Sequence, residues 1–244
     1  MMKWMAAAEG LLLLLTAVLA RFLRTPVPAV LCGVLSGFLL GLWLYMFRCR
    51  ALFDFRRGGL MGTIHQYLLA HLPWDGKGTL LDIGCGSGAL TIRCAKAYPQ
   101  AALTGVDYWG TEWSYAKEQC ERNAVAEGVS GRITFQKGDA AHLDFPDGSF
   151  DAVVSNYVYH NVMGADKQAL LLETLRVLKK GGVFALNDDM KPRMYGDMEE
   201  FARELRDMGY EDVRLIDTAA EAFGSRRRAG MMMLGDSRML VGRK

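Results

Sequence analysis

Apolar positions follow two regimes along this chain: nearly unbroken from Trp4 to Phe47, then, beyond Leu60, short blocks separated by amphipathic stretches. Thr25 to Phe47 is 23 residues without a charge. At about 1.5 Å per residue such a helix crosses a hydrocarbon core of about 30 Å, so the pattern predicts a membrane-spanning helix. The stretch Trp4 to Ala20 is shorter and holds Glu9. It reads either as a first membrane helix with a snorkelling end or as a signal-like segment with Ala20 before a cleavage point. The favoured reading is a helical hairpin, with helices near 4–23 and 26–47 and a proline-broken turn at Arg21, Arg24 and Pro26-Val27-Pro28.

After the membrane segment, Leu60, Met61, Ile64, Tyr67, Leu68 and Leu72 recur at helical spacing until Pro73, which predicts a helix covering the ligand cleft. Strands are then expected at 79–83, 101–106, 132–136, 151–155, 182–187, 212–217 and 237–243, with helices at 87–98, 111–127, 165–179 and 197–208. Strands alternating with amphipathic helices imply an α/β, doubly wound, mainly parallel sheet. The expected organisation is a transmembrane hairpin at 1–50, a linker and covering helix at 51–78, and a catalytic domain at 79–244.

Ligands of such sheets sit beyond the carboxyl ends of the strands. There the first strand turns through Gly84-Cys85-Gly86-Ser87-Gly88 into a helix, where missing Cβ atoms and free N–H groups suit a nucleotide-type ligand. Gly84-x-Gly86-x-x-Ala89 also satisfies the dinucleotide fingerprint, and three acids discriminate. Asp82 can serve the ammonium of an amino-acid cofactor and would repel a pyrophosphate. Asp107, 19 residues after Gly88, stands where an acid accepts ribose hydroxyls, and Asp139, followed by Ala140, can take an adenine amino group. Tyr108 or Trp109 is placed to pack on the adenine, with Tyr108 preferred, and Asn156 joins the same edge.

With Asp82-Ile83-Gly84-Cys85-Gly86-Ser87-Gly88, Gly105-Val106-Asp107, Gly138-Asp139-Ala140, Phe150 to Ser155 and the Leu175 to Gly182 turn in order, the chain resembles the class I S-adenosylmethionine methyltransferases from about residue 60 onward. The resemblance implies a seven-stranded sheet with an antiparallel last strand. It also implies S-adenosylmethionine as cofactor, held by Asp82, Gly84, Cys85, Gly86, Gly88, Asp107, Tyr108, Asp139, Ala140 and Asn156. The segment Ser155-Asn156-Tyr157-Val158-Tyr159-His160-Asn161 leaves the fourth strand at the cleft, making His160 and Tyr157 the candidates for orienting or deprotonating an acceptor; a structural histidine capping the next helix is the competing reading. It departs from the Asn/Asp-Pro-Pro-Tyr signature of enzymes acting on planar nitrogens. It looks more like the small-molecule and lipid group.

Charge and cysteines refine this. Beyond residue 50 the chain has 24 basic and 26 acidic residues, which offers nothing to nucleic acid. Cys32, Cys49, Cys85, Cys94 and Cys120 form no close pair in sequence, so neither a metal site nor a disulfide framework is indicated. Basic residues at the ends of the hairpin, Lys3, Arg48, Arg50, Arg56 and Arg57, outnumber Arg21 and Arg24 in its turn and place the catalytic domain in the cytoplasm. Gly33, Gly37 and Gly41 form a stripe that suits either the first helix or a second copy of the chain, as a homodimer. Arg226-Arg227-Arg228 with Met231-Met232-Met233, and Lys191 to Tyr195, are candidates for the lipid side or for an ordinary surface turn. The leading expectation is a membrane-anchored methyltransferase acting on a hydrophobic small molecule or lipid. The alternatives are a soluble or protein acceptor with the hairpin as mere anchor, a silent cofactor-binding module, and, more distantly, a nicotinamide oxidoreductase.

Overall fold

The computed structural model describes residues 27–52, 59–110 and 116–244, together with 7, 10, 11, 14–18 and 21. The chain divides into two compact units, Met1–Gly62 and Thr63–Lys244.

In the first unit, α1 (Val27–Leu52) contains Val30–Arg48, the one helix among the described residues long and apolar enough to cross a membrane. Val34, Phe38 and Leu44 are exposed along it. Among the described residues nothing lies within 4 Å of a Cβ placed on Gly33, Gly37 or Gly41. The described positions between 7 and 21 are helical. Most of the expected first helix and turn, including Glu9, Ala20, Arg24 and Pro26, and also Lys3, Arg56 and Arg57, lies outside the described residues.

The second unit is built on seven strands: β1 (Gly78–Ile83), β2 (Ala101–Asp107), β3 (Ile133–Lys137), β4 (Phe150–Asn156), β5 (Leu178–Asp189), β6 (Glu211–Ile216) and β7 (Ser237–Arg243). Their order is β3-β2-β1-β4-β5-β7-β6, with β7 antiparallel to both neighbours and the other pairings parallel. Strand alternation sorts side chains to the two faces. Leu80, Ala152, Val154, Val183, Ala185 and Val241 pack on one core, while Leu81, Ile83, Val153, Phe184, Leu186 and Leu240 pack on the other.

Helices α2 (Leu60–His71), α3 (Ala89–Ala97) and α4 (Ala116–Ala126) belong with the first face, and α5 (Lys167–Arg176) and α6 (Met198–Asp207) with the second. Asp166 and Asp197 cap α5 and α6 by accepting from backbone N–H groups of their first turns, which fixes where those helices begin. Arg132 ties the end of α3 to the start of β2 by donating to the carbonyls of Ala95, Tyr98 and Ala101.

Two expectations change. The helix expected to run to 179 ends at Arg176, and the strand expected from 182 begins at Leu178 as β5, which pairs Leu178 with Phe150 and resumes at Val183 opposite Ala152. The intervening bulge is held by Lys179 Nζ on Asp151 and by Gly181 N donating to Lys244 O. In helix α2, expected to cover the cleft, Leu68 and Leu72 are buried in the first core, His65 meets Asn156 at the end of β4, and no residue is among those that line the cavity. The expected helix at 111–127 is present from Ala116; residues 111–115 lie outside the described set.

Candidate active site

A cavity of about 1030 Å³ opens at the carboxyl edge of β1, β2 and β4. Its floor is the glycine turn. Gly84 and Cys85 donate their N–H groups to Val106 O at 2.8 and 3.0 Å, so the turn is fastened to the end of β2. Gly84 has φ +69, and a Cβ there would fall 2.1 Å from Val158 Cγ2; only glycine lets the β4 exit loop close over the turn. Gly86, at φ +56, meets nothing within 4 Å, so its missing Cβ leaves open space on the cavity side. Gly88 caps α3 at φ +80 and does not line the cavity.

The carboxylates divide between lining and support. Asp107 lines the cavity while Oδ2 accepts from Gly86 N at 2.8 Å and Oδ1 from Trp109 N at 3.1 Å. Each oxygen retains acceptor capacity for ribose hydroxyls. Asp139 and Ala140 also line it, with Asp139 Oδ1 held by Ala141 N at 2.8 Å. Tyr108 is 62% exposed at the rim, with Lys137 Nζ 5.2 Å from its ring centroid. Trp109 is instead buried and donates Nε1 to Gly86 O, which makes it a brace of the turn. The described lining holds two carboxylates and no cationic side chain. Such a site fits a sulfonium and a ribose and disfavours a pyrophosphate.

Besides Gly88, three residues expected at the cofactor are not among those that line the cavity. Asp82 is 1% exposed and accepts from Thr91 Oγ1 at 2.5 Å, joining β1 to α3. Burial, reinforced by the Asp107 charge, raises its pKa to about 7. Cys85 is buried, with its thiol against Cys120 rather than in the cavity. Asn156 lies outside the lining: its Oδ1 accepts from Asn187 Nδ2 and its Nδ2 is 3.3 Å from His65 Nε2, in a polar cluster that Thr218 extends. Burial lowers the His65 pKa to about 3, so that cluster is neutral.

Tyr157 and His160 separate in role. Tyr157, at φ +57, lines the cavity, but its hydroxyl is 2.5 Å from the fully buried Ser237 Oγ. Burial raises its pKa to about 12, so it is not a base near neutrality. His160 Nδ1 is 2.5 Å from Oδ1 of Asp188, a carboxylate with no exposed side-chain surface. The Asp188 bond raises the histidine's pKa above 6.5. Val158, His160 and Asp189 donate backbone N–H groups to the same carboxylate. The pair holds the ring in one tautomer with Nε2 left over for another partner. His160 is not among the residues that line the cavity, although Asn161 and Val162, which follow it in the chain, are.

Asp188 escaped the sequence reading. The signal was available: Asn187-Asp188-Asp189 ends the apolar run of β5 on acids, as Asp107 ends β2.

Residues 81–186 match a family model described as a methyltransferase domain. Among curated relatives, the sterol 24-C-methyltransferase of Aspergillus fumigatus is 33% identical over 143 residues, 58% of this chain and 36% of that protein. The 27-O-demethylrifamycin SV methyltransferase of Amycolatopsis mediterranei is 33% identical over 61% of this chain and 52% of its own length. The demethylmenaquinone methyltransferase of Symbiobacterium thermophilum is 33% identical over 52% and 49%. The chain thus spans between about a third and a half of the length of these relatives. Among solved structures, geranyl diphosphate C-methyltransferase from Streptomyces coelicolor shares the fold at a TM-score of 0.58 and 15% identity, over 75% of this chain and 79% of that one. A methyltransferase from Aquifex aeolicus does so at 0.54 and 17%, over 80% and 96%.

Proposed function

We propose, from the premise that this chain carries a methyltransferase domain whose cofactor is S-adenosylmethionine, that it methylates a hydrophobic small molecule or lipid at the membrane in which α1 anchors it. The observation that carries the reading is the two-part lining of one cavity. Carboxylates and glycines stand on the β1–β3 side, and Val158, Val162 and Met163 stand on the side of the β4 exit loop. At about 1030 Å³ the cavity lies at the upper end of the roughly 300–1,000 Å³ typical of small-molecule sites, which leaves space for an apolar partner beside the cofactor. The relatives named for sterol, rifamycin and demethylmenaquinone substrates point the same way.

When bound, the cofactor supplies an electrophilic methyl group on a sulfonium. The protein's part is to align the acceptor and keep water out, which can contribute on the order of 7–11 kcal/mol. In this reading Asp107 and Asp139 hold the ribose and adenine, Gly84 and Gly86 allow the backbone to approach, and Tyr108 packs on the adenine. His160, oriented by Asp188, takes a proton from the acceptor where that atom bears one, and Tyr157 shapes the wall through its backbone turn. The domain faces the cytoplasm.

The test is transfer of labelled methyl from S-adenosylmethionine by the detergent-purified full chain incubated with a membrane extract of its host, then partition into organic, aqueous and protein fractions. Label in the organic phase supports the reading. Label confined to water or protein removes the lipophilic acceptor, and no transfer at all favours a silent module.

A further inference from the structure

Among the described residues of the second unit, the exposed large apolar side chains are Tyr108, Val125, Met163, Leu172, Met208, Met231 and Met233. Four of them share one place in the topology. Tyr108 follows the carboxyl end of β2 and Met163 lies in the loop leaving β4. Met231 and Met233 lie between the end of β6 and the start of β7, and Ser237 at that start pairs with Asp189 at the end of β5. The β6–β7 connection therefore stands on the edge where the cavity opens. Met163 is 91% exposed and Met233 75%.

Met233 also has φ +63, a conformation that strains any residue but glycine and that turns the chain sharply at this tip. Just before it, Ser225 caps a short helical turn, Ala229 is buried as its foot, and Arg227 and Arg228 are exposed. Arg226 is paired with Asp217, whereas no ion pair involves Arg227 or Arg228 among the described residues. In the other candidate for the lipid side, Lys191 is paired with Asp189 and Tyr195 is buried, which leaves Arg193 as its exposed cation.

We propose that the Arg227–Met233 tip docks on an anionic bilayer surface, with Met163 on the same edge, so that an acceptor dissolved in lipid enters the cleft from the membrane side. The occupant follows from charge and polarity together: unpaired guanidinium groups suit anionic head groups, and adjacent exposed thioethers suit the acyl boundary beneath them. The proposal rests on the lipophilic-acceptor reading. It adds a second contact to the anchor, made by the catalytic unit itself.

The experiment is backbone amide exchange on the full chain in nanodiscs of phosphatidylcholine, with and without about 30% phosphatidylglycerol; two arginines near such a surface favour contact about 30-fold over a neutral one. Exchange across residues 226–234 should slow about tenfold in the anionic discs only. Arg227→Glu with Arg228→Glu should remove that protection while leaving S-adenosylhomocysteine affinity and exchange of the β-sheet unchanged. Equal exchange in both discs, or protection that survives the double substitution, overturns the proposal. So does protection that appears only when cytosolic protein is added, which would make the tip a protein-binding surface. Failure here is distinguishable from failure of the acceptor reading: organic label with unchanged exchange removes only the docking edge, whereas slowed exchange with label confined to water or protein removes only the acceptor.

Discussion

The carboxyl edge of the sheet has two halves built on different terms. The half beyond β1, β2 and β3, to which the proposed function assigns the cofactor, is made by backbone: glycine turns, N–H groups fastened to Val106 O, and carboxylates that accept from loop N–H groups. The half beyond β4, β5 and β7, to which the proposed function assigns the acceptor, is made by side chains that meet across long sequence separations, such as His160 with Asp188 and Tyr157 with Ser237. A cofactor common to many reactions needs a fixed cradle, while the acceptor wall can vary in residue type and keep the fold.

Substitutions should separate the halves. The largest effect is expected at Gly84→Ala, whose Cβ meets Val158 Cγ2 at 2.1 Å at φ +69. Overpacking and backbone strain together should cost about 3 kcal/mol, seen as a fall in unfolding midpoint with loss of cofactor binding. Gly86→Ala has the same type of φ and no clash, so it should cost only about 1 kcal/mol in stability while still crowding the cofactor. Retained cofactor affinity in Gly86→Ala would detach that glycine from the site.

Next comes Asp107→Ala. Losing two charge-assisted hydrogen bonds to ribose, about 3 kcal/mol, should weaken S-adenosylhomocysteine roughly 100-fold by calorimetry. Asp188→Asn should act on the other half: about 10² lower methyl transfer, with S-adenosylhomocysteine affinity unchanged. Asp188 raises the His160 pKa, and a base must be neutral, so the wild-type rate should rise with pH through a midpoint above 6.5. In Asp188→Asn that midpoint should move down. A pH profile that does not move would assign Asp188 a purely structural part.

Smaller effects follow from support residues. Asp82 titrates near 7 in the folded chain against 3.8 for a free side chain, so the folded state favours the protonated form. Stability is therefore largest below about pH 4 as far as this group is concerned and declines as pH rises through 7. Asp82→Asn should flatten the unfolding midpoint between pH 5 and 8; an unchanged slope would contradict the raised pKa. Tyr157→Phe removes the hydroxyl's bonds to Ser237 and Asn187, and should cost about 1 kcal/mol in stability and leave methyl transfer within roughly twofold.

The halves also differ in how far the sequence disclosed them. Strand spacing, the glycine turn and the positions of Asp107 and Asp139 in the cavity lining were legible because each is a local pattern: an apolar run ending on a glycine or an acid. Asp82 carries the same signature but points into the β1–α3 interface, because strand alternation sets its side opposite to that of Leu81 and Ile83. For Asn156 a carboxyl-edge position does not say which neighbour a side chain meets; its amide meets Asn187 and His65. The partner of His160 lay 28 residues away, across a strand boundary expected at 187 rather than Asp189. Helix α2 was expected over the cleft because its apolar stripe announces a buried face without saying which core receives it.

The most direct test of the division is a calorimetric titration of S-adenosylhomocysteine into the wild-type chain, Asp107→Ala and Asp188→Asn side by side. The account predicts a loss of roughly 100-fold for Asp107→Ala and none for Asp188→Asn. Equal losses in both, or tight binding by Asp107→Ala, would contradict it.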